Sequence, residues 1–232
     1  MTPTDTRDRL LDAAELHFAR HGFAGASLRE ITSDAGANLA AVSYHFGSKE
    51  ELFVAVVGRV MAPINEERLK LLDAAEERAG GRALPIEELI EIVVGPVLRA
   101  RANGDRGCSL RVFARSQLED AELWKRLVDG PLKVVKPRIE SALARALPTL
   151  TPQEIAYRMH FMMGAVKSVA ADQHALRTLS RGLCDPDDVD RTLSELVRFL
   201  SAAMGAPGER RTTRARGAAS KTRSRGKKEN RA

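Results

Sequence analysis

The stretch Ser27-Leu28-Arg29-Glu30-Ile31-Thr32-Ser33-Asp34-Ala35-Gly36-Ala37-Asn38-Leu39-Ala40-Ala41-Val42-Ser43-Tyr44-His45-Phe46 decides how this chain is read. Leu28, Ile31 and Ala35 recur at helical spacing and give a short helix one buried face. Ser27 stands where its hydroxyl can cap that helix, with Glu30 three residues on. Gly36 allows the positive φ of a tight turn. Asn38 then caps a second short helix, with Ala41 and Val42 inward and Phe46 closing it. Two short helices joined by a glycine turn form a helix-turn-helix, the unit whose second helix enters the major groove of DNA.

Outward from this stretch the pattern stays helical. Leu10, Ala14 and Phe18 line one face of a first helix that Gly22 is placed to end with a left-handed cap. Capping chemistry marks three later starts, at Ser48-Lys49-Glu50-Glu51, Thr151-Pro152-Gln153-Glu154 and Asp185-Pro186-Asp187-Asp188. The spacing predicts an all-α chain of about nine helices, near residues 5–21, 27–35, 38–45, 48–78, 85–103, 107–118, 120–147, 151–179 and 186–204. Kinks or breaks are expected at Pro63, Pro131 and Pro137. The domains read as a head over 1–47, a ligand-binding and dimerisation body over 48–205 whose residues 48–78 connect it to the head, and a tail over 206–232.

Composition narrows the class. With 232 residues, 44% of them hydrophobic, the chain can bury a real core, yet no apolar run approaches the roughly 18 residues of a membrane span. No secretory signal opens it, so the reading is a cytoplasmic protein without a membrane partner. Cys108 and Cys184 are 76 residues apart, which excludes a CxxC redox or zinc pattern and leaves them as small apolar fillers. No His, Cys and carboxylate cluster has metal spacing, and no cofactor motif is present; the metal and cofactor expectation is none. The net charge of +6 is unevenly spread, since the tail carries +8 and the first 205 residues −2. The tail has no large apolar side chain from Gly208 onward and is expected to be disordered.

Leu10-Leu11-Asp12-Ala13-Ala14, Phe18, His21-Gly22-Phe23, Ser27-Leu28-Arg29-Glu30-Ile31, Ala35-Gly36 and Val42-Ser43-Tyr44-His45-Phe46-Gly47-Ser48-Lys49-Glu50-Glu51-Leu52 together resemble the DNA-binding domain of the tetracycline-repressor (TetR) family of transcription regulators. The resemblance covers about a fifth of the chain. It implies a dimeric, all-helical regulator with a three-helix helix-turn-helix head and a helical body that binds a small-molecule effector. By the same resemblance Leu39, Ala40, Ser43, Tyr44 and His45 face DNA, while Ser27, Arg29 and Lys49 match phosphate- or groove-contacting positions. Their chemistry agrees: the cations suit phosphates, Tyr44 and His45 can donate to phosphates or base edges, and Leu39 and Ala40 can meet thymine methyls. One departure is the charge of residues 1–50, which hold five basic side chains against seven acidic ones. Non-specific affinity scales with phosphates neutralised, so the head alone should bind weakly and the basic tail could supply the missing attraction.

In the body, Tyr157-Arg158-Met159-His160-Phe161-Met162-Met163-Gly164-Ala165 gathers soft apolar side chains on one helix and is similar to a subgroup of TetR regulators that respond to fatty acids or their acyl derivatives. Phe113, Trp124, Met159, Phe161 and Met163 are the effector-pocket candidates, since thioethers adapt to flexible apolar ligands. Arg101, Arg111, Arg115 and Arg158 are available to pair an acidic head group. The last two helices, with Val189, Leu193, Leu196, Val197 and Leu200 as an apolar stripe, are assigned to a homodimer bundle. The leading reading is a dimeric repressor released from a palindromic double-stranded DNA operator by an apolar or amphipathic effector. The alternatives are a helical enzyme or small-molecule carrier with an incidental helix pair, and a tail-driven activator or nucleoid-type binder. No phosphate loop, nucleophile–base pair or paired carboxylates backed by histidines supports the enzyme.

Overall fold

The computed structural model describes residues 3–102, 107–115, 121–171 and 173–208. All elements among them are helices: α1 (Pro3–Gly25), α2 (Leu28–Asp34), α3 (Leu39–His45), α4 (Lys49–Ala79), α5 (Ile86–Ala102), α6 (Gly107–Arg115), α7 (Ala121–Asp129), α8 (Val135–Ala146), α9 (Pro152–Ala171), α10 (Gln173–Leu179) and α11 (Val189–Gly205). The fold is all-α, with an N-terminal helix-turn-helix head on a helical body. None of the described helices is long and apolar enough to cross a membrane. The basic residues 209–232, on which the expectation of disorder falls, lie outside the described residues.

Eleven helices are described where the spacing predicts nine, because two long segments are divided. Residues 120–147 break at Gly130-Pro131 into α7 and α8. Pro131 lacks the N–H that would continue the ladder, and the Leu132 N–H reaches back to the Leu127 carbonyl instead, at 3.2 Å. Pro137, by contrast, is tolerated in the first turn of α8, where its missing N–H has no partner to lose. Residues 151–179 form α9 and α10, with Asp172 between them outside the described residues. Pro63 does not break α4, which runs unbroken for 31 residues.

Four smaller expectations are corrected by local chemistry. Gly22 does turn the chain, but at φ 72° and ψ 179° it lies outside the left-handed helical well, in a region only glycine enters, and one further helical turn follows it. Ser27 occupies the N-cap of α2 with extended backbone and makes no side-chain cap bond. The last long helix is capped by Asp188, which accepts from the Arg191 N–H at 3.0 Å; Asp185 instead pairs with Arg177 at 2.7 Å. Cys184 is exposed and is not an apolar filler, while the Cys108 side chain lies outside what is described.

The head closes around Leu10, Ala14, Phe18, Ile31, Ala35 and Val42 from α1–α3 and Leu52 and Phe53 from α4, all buried. Phe53 sets its edge against Phe18 and Phe23, at centroid distances of 5.0 and 5.4 Å, so α4 is part of the head's core as well as its stem. On the surface Arg59 of α4 holds Asp12 and Glu15 of α1 at 2.6 and 2.7 Å. In the body α5 packs on α4 and α11, and α6 lies against α1, α4 and α9.

Candidate nucleic-acid interface and effector core

The turn between α2 and α3 is built as its sequence requires. Gly36 takes φ 59°, and the Gly36 and Ala37 N–H groups return to the Ser33 and Thr32 carbonyls. Asn38 accepts from the Ala41 N–H at 3.0 Å and starts α3. Only Val42 of α3 is buried, and it pins the helix to the head. Asn38, Leu39, Ala40, Ser43 and Tyr44 are exposed, Tyr44 to 85%, while His45 is half-buried with its ring edge-on to Tyr44 at 5.0 Å. A surface that holds a leucine and a tyrosine outward on a seven-residue helix has been left for a partner.

The flanking candidates surround this helix unevenly. Arg29 is exposed on α2, and Ser27 is half-buried at its start. Lys49 lies at the start of α4 with its Nζ 4.7 Å from the Phe23 ring, which steadies the ammonium at the surface. Ser48 accepts from the Glu51 N–H at 3.1 Å, but the Glu51 carboxylate turns to Arg126 of α7 and does not close the capping box. The Glu50 carboxyl is held below its usual range by its own backbone N–H and by Ser48. Sequence reading missed His17 of α1, whose Nε2 is 2.7 Å from the Asp34 carboxylate and whose Nδ1 is 3.9 Å from Glu30. Through the close contact with Asp34 it braces α2 against α1.

In the body, Phe113 is buried, whereas Trp124, Met159 and Met163 are half-buried against the same core. Phe161 is turned out instead: it is 66% exposed and stacked beside Tyr157 at 6.3 Å. Met162 is the buried methionine of this run. The arginines considered for an acidic head group are otherwise engaged. Arg101 is buried and donates to the Val169 carbonyl at 2.9 Å and to that of Pro186, its basicity lowered by burial. Arg158 donates to the Met204 carbonyl and, at 2.6 Å, to that of Ala206, and through Nη2 to Pro207. It therefore ties the first residues after α11 to α9. Arg111 is exposed, and the Arg115 side chain lies outside what is described.

Two buried cations escaped sequence reading because each looks like an ordinary surface base. Arg68 of α4, pushed down to about 10 by burial, donates to the Val93 carbonyl at 2.8 Å and to Asn65 at 3.0 Å. Asn65 in turn donates to the Pro131 carbonyl at 3.0 Å, so this chain of bonds joins α4, α5 and the α7–α8 turn. Lys167 of α9 is the second; it is one turn beyond Met163 and two beyond Met159, the spacing that could have drawn notice to it. Among the described residues no group of His, Cys, Asp and Glu could hold a metal.

The apolar stripe assigned to a dimer faces elsewhere. Leu196 and Leu200 are buried within the protomer, with Val189, Leu193 and Val197 half-buried beside them, because α11 packs on α5. What α9 and α11 leave outside is Tyr157, Phe161 and Phe199. Arg158 meets the C-terminal end of α11, while Arg101 bridges Val169 and Pro186 near its other end. The two helices are therefore antiparallel, and Phe161 and Phe199 lie at a similar height.

A helix-turn-helix that leaves its second helix open, carried on an all-helical body, defines a DNA-binding transcription regulator. Residues 10–56 match the family of bacterial regulatory proteins described as tetR family, and residues 91–203 match the tetracyclin repressor-like C-terminal domain. The chain belongs to the tetR family: it is a ligand-responsive DNA-binding regulator and not an enzyme. It is 35% identical to the nicotine-responsive transcriptional repressor HdnoR of Paenarthrobacter nicotinovorans, over 80% of this chain and 93% of that protein. It is 30% identical to the transcriptional repressor AcnR of Corynebacterium glutamicum, over 61% of this chain and 79% of that one. The fold superposes on the transcriptional regulator FadR of Bacillus subtilis, solved in complex with stearoyl-CoA, with a TM-score of 0.54, at 14% identity over 86% of this chain and 98% of that one. Regulators of this family bind DNA and small-molecule effectors and act as dimers.

Proposed function

We propose that this chain is a cytoplasmic repressor that binds a palindromic operator as a homodimer and leaves it when an apolar or amphipathic effector, such as an acyl compound, enters the body. The observation that carries the DNA half is α3: Val42 holds it, and Leu39, Ala40, Ser43 and Tyr44 are left exposed. Ser27, Arg29, His45 and Lys49 are the supporting contacts, directed at phosphates and groove edges. The head is residues 1–47, the body 48–205, and the tail beyond it adds sequence-independent attraction. Phe113, Trp124, Met159 and Met163 are the effector-facing residues, and Phe161 passes from that set to the dimer face with Tyr157 and Phe199.

The mechanism is a population shift in which effector favours a body arrangement whose two heads no longer match successive grooves. Two elements can carry it: α4, which shares the head's core, and α6, which lies against both α1 and α9. Selecting bound fragments from random DNA tests the reading. The expected result is a two-fold symmetric consensus with half-sites one helical turn, or a multiple of it, apart. Fragments without a consensus would leave only tail-driven binding. For the dimer, Phe161→Glu with Phe199→Glu should convert the protein to monomer by light scattering, and operator affinity should fall with it.

A further inference from the structure

The excess of acidic over basic side chains in residues 1–50 hides where the charges stand. Asp12 and Glu15 of α1 are held by Arg59 at 2.6 and 2.7 Å, and Asp34 of α2 meets His17 at 2.7 Å. These three carboxylates are engaged within the protein. Arg7, on the second turn of α1, is placed differently: its guanidinium lies over the Phe46 ring, 5.3 Å from the centroid. Phe46 is the residue that ends α3. The His45 ring lies 6.3 Å from that of Phe46 and 5.0 Å from that of Tyr44. Arg7 therefore stands at the end of a row of side chains that runs from α1 to the exposed face of α3. Its guanidinium is half exposed, with the exposed Asp8 carboxylate 4.0 Å away. A pair so open to water is screened by solvent and salt, and the guanidinium can exchange it for another anion. The ring face keeps the cation beside α3 throughout.

We propose that Arg7 is a DNA contact of the head: with α3 in the major groove, its guanidinium binds a backbone phosphate beyond the carboxyl-terminal end of that helix. The proposal rests on the reading that α3 enters the groove, and it adds a contact made from α1, outside the helix pair. α3 itself holds no lysine or arginine, so charge for the backbone has to come from its neighbours. A helix seated in a groove about 12 Å wide has phosphates on both sides within a side chain's reach of its ends. The planar fork of a guanidinium matches two phosphate oxygens at once, which an ammonium does not. Phe46 acts as a positioning residue, because it sets the fork at the end of the reading helix before DNA arrives.

The test titrates the full chain into a duplex selected from random DNA and into an unrelated duplex, by fluorescence anisotropy between about 50 and 200 mM salt. Each phosphate contact contributes about 0.9 to the slope of log affinity against log salt. Arg7→Gln is expected to lower that slope by about 0.9 per head and to weaken both duplexes alike, by about ten-fold. Arg7→Lys keeps the charge and should keep the slope. An unchanged slope in Arg7→Gln would overturn the contact. A slope that falls as far in Arg7→Lys would also overturn it, by assigning the loss to packing on Phe46 and not to charge. A changed base preference in either variant would place the guanidinium on a base edge and overturn the phosphate assignment. Failure of the groove reading shows instead in the unaltered chain, as equal affinity for the two duplexes, and takes the contact with it.

Discussion

The head keeps Leu39 and Tyr44 on its outside, whereas the body keeps Arg68, Arg101 and Lys167 on its inside. Each arrangement reverses the usual partition of apolar and charged side chains, and each is held by ordinary chemistry nearby. In the head, Val42 and the Asn38 cap fix α3, so its exposed face is rigid before any partner arrives. In the body, carbonyl oxygens hold Arg68 and Arg101, and two aromatic rings flank Lys167. The head leaves an apolar surface open for a partner, whereas the body's inward cations are taken up by its own carbonyls and rings.

The largest effect should come from breaking the head's side of this contrast. Leu39→Asp places a carboxylate in the groove yet suits the first turn of a helix, so the fold should survive with stability changed by no more than about 0.5 kcal/mol. Operator affinity should drop about a thousand-fold, to the level of unrelated DNA, in a fluorescence anisotropy titration. Retained specificity would remove α3 from the groove.

The body's side is tested by pH. Unfolded, Lys167 keeps its proton up to the ordinary lysine value near 10.5; folded, it releases it near 7. Between those values the unfolded chain binds more protons, so this residue makes stability rise with pH from about 7 upward, by at most about 1.4 kcal/mol per pH unit, with no contribution below 7. Denaturant unfolding at pH 7, 8 and 9 should show that rise, and Lys167→Met should flatten it. An identical slope in the variant would mean that the ammonium is not in the low-dielectric interior.

The basic stretch asks where the head's missing charge resides. Removing residues 209–232 spares Ala206 and Pro207, which Arg158 holds. Affinity for any DNA should weaken and its salt dependence flatten, with base preference untouched; an unchanged salt slope would assign the tail no part in binding. The smallest effect is expected from Asn38→Ala, which should lower the melting free energy by about 0.5–2 kcal/mol through loss of the α3 cap.

What the sequence discloses follows from how local each determinant is. The helix pair, its glycine turn and the caps at Asn38, Ser48 and Thr151 are set by neighbours within a few residues, and they stand where the pattern puts them. The split at Gly130-Pro131 was visible as a breaker but not as the boundary of two helices. The outward turn of Phe161 and the inward turn of Leu196 and Leu200 were not legible, because one helix's periodicity shows that a stripe is buried and not against which surface. Lys167 was missed for a related reason: a lysine reads as a surface residue until the rings of two other helices are seen beside it.

Arg59 grips Asp12 and Glu15, so the head and the first stretch of α4 turn as one piece. Pro63 follows four residues later and deprives the Arg59 carbonyl of its helical partner, which makes the first weak point in the stem fall just past the grip. From Lys49 to Pro63 the stem is about 21 Å long, and a swing of about ten degrees at the proline would displace its far end by about 4 Å. That is roughly the step between stacked base pairs, enough to put a reading head out of register by one letter.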